Sequence, residues 1–229
     1  MMKKNLLLLS LLLPASVASS AQTVLQQFTS LSQGSVHRSF IELKQPTRKG
    51  SVLIAIPMFV APNIRVLKVS DDGPEGGSVY HKIEAAAASC ANKFVDIWYC
   101  ENCKAGVTEI KMELSDTAQG LNSFLEVADL APSAAIDGPG AHVSDGTATS
   151  AGQAPGASIT TSAQDFVLAA YFPPAAGITP ASWAFTRSFA YLQSAPPGTY
   201  QPTLTGAKPG NYCMAMAAFK AATTASAPK

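Results

Sequence analysis

The chain has 229 residues, 47% of them hydrophobic, with 16 Lys and Arg against 15 Asp and Glu, a formal charge of +1. So even a balance argues against a nucleic-acid partner, which normally demands a basic face. The length suits one large all-β domain or two small ones with ample surface for a core.

Lys3 and Lys4, the apolar run LLLLSLLL over Leu6–Leu13, then Pro14 and the small residues Ser19-Ser20-Ala21 have the three parts of an export signal cleaved after Ala21. Eight apolar residues fall short of the roughly 20 that span a bilayer as a helix, and SVLIAIPMFVAP (Ser51–Pro62) is interrupted by Pro57. The expected product therefore has no transmembrane segment and works outside the inner membrane, secreted, periplasmic or at the cell surface. Loss of residues 1–21 removes two basic side chains and no acidic one, which shifts the formal charge to −1. Between Glu113 and Thr186 there is no Lys or Arg, whereas Glu113, Asp116, Glu126, Asp129, Asp137, Asp145 and Asp165 are acidic. A solvated surface accounts for that asymmetry.

Short apolar stretches with a period of two, separated by Gly, Pro, Ser and Asp, fill the mature chain. In order they are Thr23–Ser30, His37–Leu43, Ser51–Val60, Ile64–Ser70, Val95–Tyr99, Thr108–Leu114, Ser123–Leu130, Asp165–Phe172, Ser182–Ser188, Gly198–Thr205 and Tyr212–Lys220. In TEIKMEL (Thr108–Leu114), Ile110, Met112 and Leu114 face one way and Glu109, Lys111 and Glu113 the other, as a half-buried antiparallel strand requires. VDIWY (Val95–Tyr99) is expected opposite it, with CENCKAGV as the turn of a hairpin and Gly106 supplying a positive φ. EAAAASCA (Glu84–Ala91) reads as a loop or short helix. Residues 131–163, rich in Ala, Gly, Ser, Thr and Pro, read as a long loop with little core to offer, and residues 221–229 as a disordered tail. About a dozen short strands without a long amphipathic helix predict an all-β antiparallel sandwich, one domain over residues 22–220.

The order TVLQQF, GSVLIAI, VSDDG with Val79-Tyr80, IWYCEN with a following AG, TEIKMEL, LEVADL, Asp137-Gly138, a Ser/Thr/Gly tract, DFVLAAYF, PGTY and AMAAFK resembles a class of secreted bacterial β-sandwich modules of surface proteins, related to phage host-contact modules. The resemblance covers nearly the whole mature chain. Two places depart from it: the insertion Pro74-Glu75-Gly76-Gly77 after VSDDG, and Glu126-Val127-Ala128-Asp129 in place of a Glu-aromatic-Ser-Gly. It implies an immunoglobulin-like or jelly-roll sandwich and no particular activity.

Cys100-Glu101-Asn102-Cys103 follows a strand and precedes a glycine turn, whereas a redox CxxC opens a helix in a βαβ unit. A zinc site needs four ligands in close pairs, and Cys90 and Cys213 stand alone. Disulfides are the expectation for an exported chain. Of the three possible pairings, Cys100 with Cys103 in the turn and Cys90 with Cys213 is the one adopted.

No catalytic constellation is visible: His37, His81 and His142 lie in neither an HExxH nor beside a GxSxG. The acidic stretch Ser70–Gly77 lacks EF-hand spacing and reads as a turn, so no metal or cofactor is expected. On Val95–Tyr99 the set Val95, Ile97 and Tyr99 is the better core face, which leaves Trp98, with Phe94, Asp96 and Cys100, on the other face and partly exposed. Trp98 is thus the candidate binding residue. The sequence points to a non-catalytic secreted module with an interaction or structural role, its partner a surface polysaccharide or protein. The alternatives are a carbohydrate-binding module with exposed aromatics, and a hydrolase with two acids facing a cleft.

Overall fold

The computed structural model describes residues 21–60 and 63–223, the side chains of residues 33–36 and 75 excepted. Apart from Ala21, the expected export signal lies outside the described residues, as do residues 224–229 of the expected tail. In the first half the strands are β1 (Thr23–Glu42), β2 (Val52–Val60), β3 (Val66–Asp71), β4 (His81–Lys82), β5 (Ala88–Cys90), β6 (Lys93–Val95), β7 (Trp98–Cys100) and β8 (Glu109–Ala128). The second half has β9 (Ala141–Ala148), β10 (Ala154–Pro155), β11 (Ile159–Thr161), β12 (Asp165–Phe172), β13 (Gly177–Thr179), β14 (Ala184–Phe185), β15 (Phe189–Ala195), β16 (Gly198–Tyr200), β17 (Thr203–Thr205) and β18 (Gly210–Lys220). Two 3-10 turns, Pro74–Gly76 and Glu84–Ala86, are the only helical elements among the described residues. The fold is all-β and its ladders are antiparallel.

In place of the expected dozen short strands the described residues form eighteen of very unequal length: some neighbouring stretches fuse, and strands of two or three residues form in the segments between. TVLQQFTS and HRSFIEL are one strand, β1, bent by bulges between Ser32 and Val36 and between Val36 and Arg38. TEIKMEL and SFLEVA fuse likewise into β8, which runs beside β1 from Thr23 opposite Ala128 to Glu42 opposite Glu109. At the bend of β8, a Cβ on Gly120 would lie 2.0 Å from the Met58 carbonyl oxygen, so only glycine lets β8 and β2 approach there.

Two main sheets face one another in a sandwich-like arrangement. The first has the order β1-β8-β2-β6-β5, with β3 on β8 and β7 carrying β4 beside β2; the second is β14-β15-β12-β18-β9. Between them Val52, Ile54, Ile56, Leu125 and Val127 meet Phe166, Leu168, Ala170, Ala215, Ala217 and Phe219. The bent β8 brings its first part back over the first sheet, so Ile110, Met112 and Leu114, with Val66 and Val69 of β3, cover Leu53, Ala55 and Phe59. Central strands β2 and β12 are therefore buried on both faces, which is why they read as continuous apolar runs. Pro57 is tolerated in β2 because it lies where the neighbour changes from β7 to β6, and its carbonyl still accepts the Asp96 N–H at 3.1 Å.

Three sequence expectations are corrected. Val95–Tyr99 and Thr108–Leu114 do not form a hairpin: β6 and β7 pair with β2, while this part of β8 pairs with β1 and β3. A run as apolar as β2 needs neighbours on both sides, and it takes the position that chain adjacency suggests for TEIKMEL. Residues 131–163 are not a bare loop, since they supply β9 at the edge of the second sheet and β10 and β11 over its outer face. There Ala148, Ala154, Ala157 and Ile159 pack with Met214, Tyr212 and Leu204, a layer in which small side chains bring backbones close. Lastly, the ordered chain passes residue 220: Ala221 bridges Leu130, and the Ala222 N–H donates to the Asp129 carbonyl at 2.8 Å. Glu84–Ala91 resolves into a 3-10 turn followed by β5.

The cysteines are paired as Cys90–Cys213 and Cys100–Cys103, with Cα–Cα distances of 5.7 and 5.8 Å. Cys90–Cys213 joins β5 of the first sheet to β18 of the second. Cys100–Cys103 closes the turn after β7.

Candidate functional site

Alternation along residues 94–98 places Phe94, Asp96 and Trp98 on the face opposite Val95 and Ile97, which enter the inter-sheet core. The expectation that Trp98 is partly exposed is corrected: the ring is 9% exposed and belongs to the second apolar cluster with Phe59 and Phe94. Lys82 of β4 stands opposite Trp98, and the returning β8 fills the space above this face. A stacking platform at Trp98 is therefore not on the surface. Trp183 is buried, and Phe185, Tyr191 and Tyr200 are half-buried against the outer cluster or the inter-sheet core, so they form no exposed platform either.

The same face does open at its other end. Phe94 and Asp96, with Asn63, Ile64 and Arg65 before β3, Lys82, and residues 87–89 and 91, line a pocket of about 320 Å³. Lys82 Nζ lies 3.4 Å from Asp96 Oδ2 and 3.6 Å from Glu84 Oε2. Asp96 is only 7% exposed at its side chain and Lys82 25%, whereas Glu84 is 82% exposed. Burial pushes the Asp96 carboxyl above its ordinary range, and the Lys82 ammonium opposes that shift. The Trp98 indole N–H lies near enough to help hold the carboxylate charged but has no acceptor in hydrogen-bond geometry. Arg65 is exposed, and its backbone is held by Ser115, with the N–H donating to Ser115 Oγ at 3.0 Å. Sequence reasoning found the face through its alternation. It missed Arg65 and Lys82, which come from other segments and carry no spacing signal.

Four other acids are occupied within the fold. Asp71 Oδ1 accepts the N–H groups of Gly73 and Ser78 at 3.0 Å each, and its Oδ2 accepts the Tyr80 hydroxyl at 3.1 Å. Asp72 accepts the N–H groups of Thr108 and Glu109 at 2.8 Å and the Thr108 hydroxyl, so the acidic stretch is a turn built from its own carboxylates. Glu126, 1% exposed, accepts from the Arg48 N–H at 2.7 Å, the Ser51 hydroxyl at 2.9 Å and the Gln26 amide at 2.7 Å. Glu101, between the cysteines of the turn, accepts the N–H groups of Ala134 and Ala135 at 3.1 and 2.7 Å.

Asp137 and Asp165 form a carboxyl pair, the arrangement closest to an acid dyad. Asp137 accepts the Ser162 N–H at 2.8 Å, and Asp165 is pushed up to about 7 by burial and by Asp137. Yet Asp165 is fully buried and Asp137 is 9% exposed, so no substrate reaches between them. His37, His81 and His142 are exposed; His142 Nδ1 meets the Ala85 carbonyl at 2.9 Å and His81 leans on the Tyr99 ring at 5.8 Å between centroids. Among the described residues no three His, Cys, Asp or Glu side chains are arranged to hold a metal, and no helix is long and apolar enough to cross a membrane. No family model, no curated protein and no solved structure matches the chain.

Proposed function

We propose that the chain is an exported, non-catalytic binding module and that it meets its partner through the Arg65–Lys82–Asp96 pocket. The observation that carries this reading is the Lys82–Asp96 pair, a nearly buried carboxylate held 3.4 Å from an ammonium at the wall of an open concavity. Such a pair adds little to stability over apolar packing, because desolvation offsets its attraction. A ligand's hydrogen-bonding groups recover what desolvation removed. Two disulfides support an oxidising compartment outside the cytoplasm, and with it removal of residues 1–21 on export. The internal hydrogen bonds of Asp71, Asp72, Glu101 and Glu126 favour a structural role for those acids over hydrolysis.

The test is a glycan and cell-surface binding screen of the protein and its Arg65→Ala variant, run beside a glycosidase and esterase panel. Binding that weakens in Arg65→Ala supports the reading. Turnover lost on replacing one carboxylate or histidine overturns it.

A further inference from the structure

Resting on the reading of this pocket as a binding site, we propose that its ligand is one ring of an acidic sugar, a pyranose bearing a carboxylate. Size is the first argument. At about 320 Å³ the pocket is at the small end of ligand sites, which run from about 300 to 1,000 Å³. One ring fits that space, and a folded peptide segment does not.

Chemistry narrows the class. Asp96 accepts hydrogen bonds only, and among the described residues its one ion-pair partner is Lys82, so the carboxylate retains acceptor capacity toward the pocket. A ligand made of anionic oxygens alone, such as phosphate, offers Asp96 no donor, whereas ring hydroxyls donate to it. Lys82 beside it donates to a hydroxyl oxygen of the same ring. Phe94 and Ile64 give an apolar wall for the C–H face of a sugar. Arg65 then supplies a requirement that a neutral sugar does not meet. Arg65 is exposed, it makes no ion pair among the described residues, and its planar fork matches a carboxylate with two parallel hydrogen bonds. Glu84 reaches Lys82 at 3.6 Å but is 82% exposed, where solvent screens its charge. The groups that face the ligand are two cations and one buried carboxylate.

Saturation-transfer NMR and calorimetry on the full protein, with galacturonate and glucuronate against galactose, glucose, acetate and phosphate, test this. The uronates are expected to bind, the neutral hexoses about tenfold more weakly, and acetate and phosphate more weakly still. Arg65→Met lies on an exposed side chain and leaves the thermal unfolding midpoint unchanged; it is expected to remove the preference for the uronate. Lys82→Met lowers binding of both sugars. Equal binding of acidic and neutral rings, an unaltered preference in Arg65→Met, or no binding of uronates overturns the assignment. If another ligand class binds and Arg65→Met abolishes it, the pocket stands and only the sugar class falls; if that binding ignores Arg65 and Lys82, the site itself falls.

Discussion

Asp165, the first residue of the central strand β12, is fully buried beside Asp137, and neither of its carboxyl oxygens meets a donor among the described residues. With both side chains ionised, neither Asp165 oxygen has a donor; a proton on Asp165, donated to Asp137, satisfies the pair. The Ser162 N–H and hydroxyl hold Asp137 on the charged side, below the usual carboxylate range, while burial and the Asp137 charge push Asp165 up to about 7 against a weaker opposing pull from Lys220.

Stability should consequently fall as pH rises. The folded state holds the Asp165 proton up to about 7, whereas the unfolded chain releases it near 4, so the folded state binds more protons in between. The contribution is fully present below about 4 and is lost as pH passes through about 7. Unfolding midpoints at pH 5 and pH 8 should show the native protein weaker at pH 8 and Asp165→Asn nearly flat, since the amide donates to Asp137 at every pH. An equal fall in both proteins would place the titration elsewhere.

Parts of the fold were legible because burial on both faces leaves a plain mark. DFVLAAYF is β12 residue for residue, and SVLIAIPMFV contains β2. What escaped the sequence is set by contacts between distant segments. Nothing in TEIKMEL says that a bend at Gly120 carries it over the far side of its own sheet, and the alanines of residues 131–163 look like loop until Tyr212 and Met214 are seen packed on them. The pocket divides in the same way: Asp96 is on the legible face, whereas Arg65 arrives from the segment before β3 and Lys82 from β4.

The two disulfides should differ sharply in value. Cys90–Cys213 closes a loop with a sequence separation of 123, against 3 for Cys100–Cys103. On chain entropy the long loop contributes about 4–5 kcal/mol and the short one far less. Cys90→Ser/Cys213→Ser should lower the denaturant midpoint strongly, and Cys100→Ser/Cys103→Ser only slightly. Thiol counting on the unfolded native protein should find no free thiol, and elemental analysis no stoichiometric zinc.

The short disulfide should matter locally through Glu101. Its carboxylate takes the Ala134 and Ala135 N–H groups, which tie the segment leading to Asp137 against the turn. Glu101→Ala should cost about 1–3 kcal/mol and speed hydrogen exchange at those two amides without changing exchange in β12. Unchanged exchange at Ala134 and Ala135 would show that the segment is held by other contacts.

Trp98 should prove a structural residue. Its ring is 9% exposed among Phe59 and Phe94, so Trp98→Ala leaves a cavity and should cost about 3–5 kcal/mol, where an exposed stacking ring would cost little stability and most of the binding. Trp98→Phe should recover most of the loss, because the indole N–H it removes has no acceptor in hydrogen-bond geometry and the phenyl ring keeps the apolar contact. Urea unfolding of both variants, read by circular dichroism, gives the comparison. Ligand binding in Trp98→Phe should stay near the native value, since Asp96 and Lys82 keep each other in place at 3.4 Å. Binding lost in Trp98→Phe with stability retained would return Trp98 to the binding surface and overturn the assignment of that role to the pocket beside it.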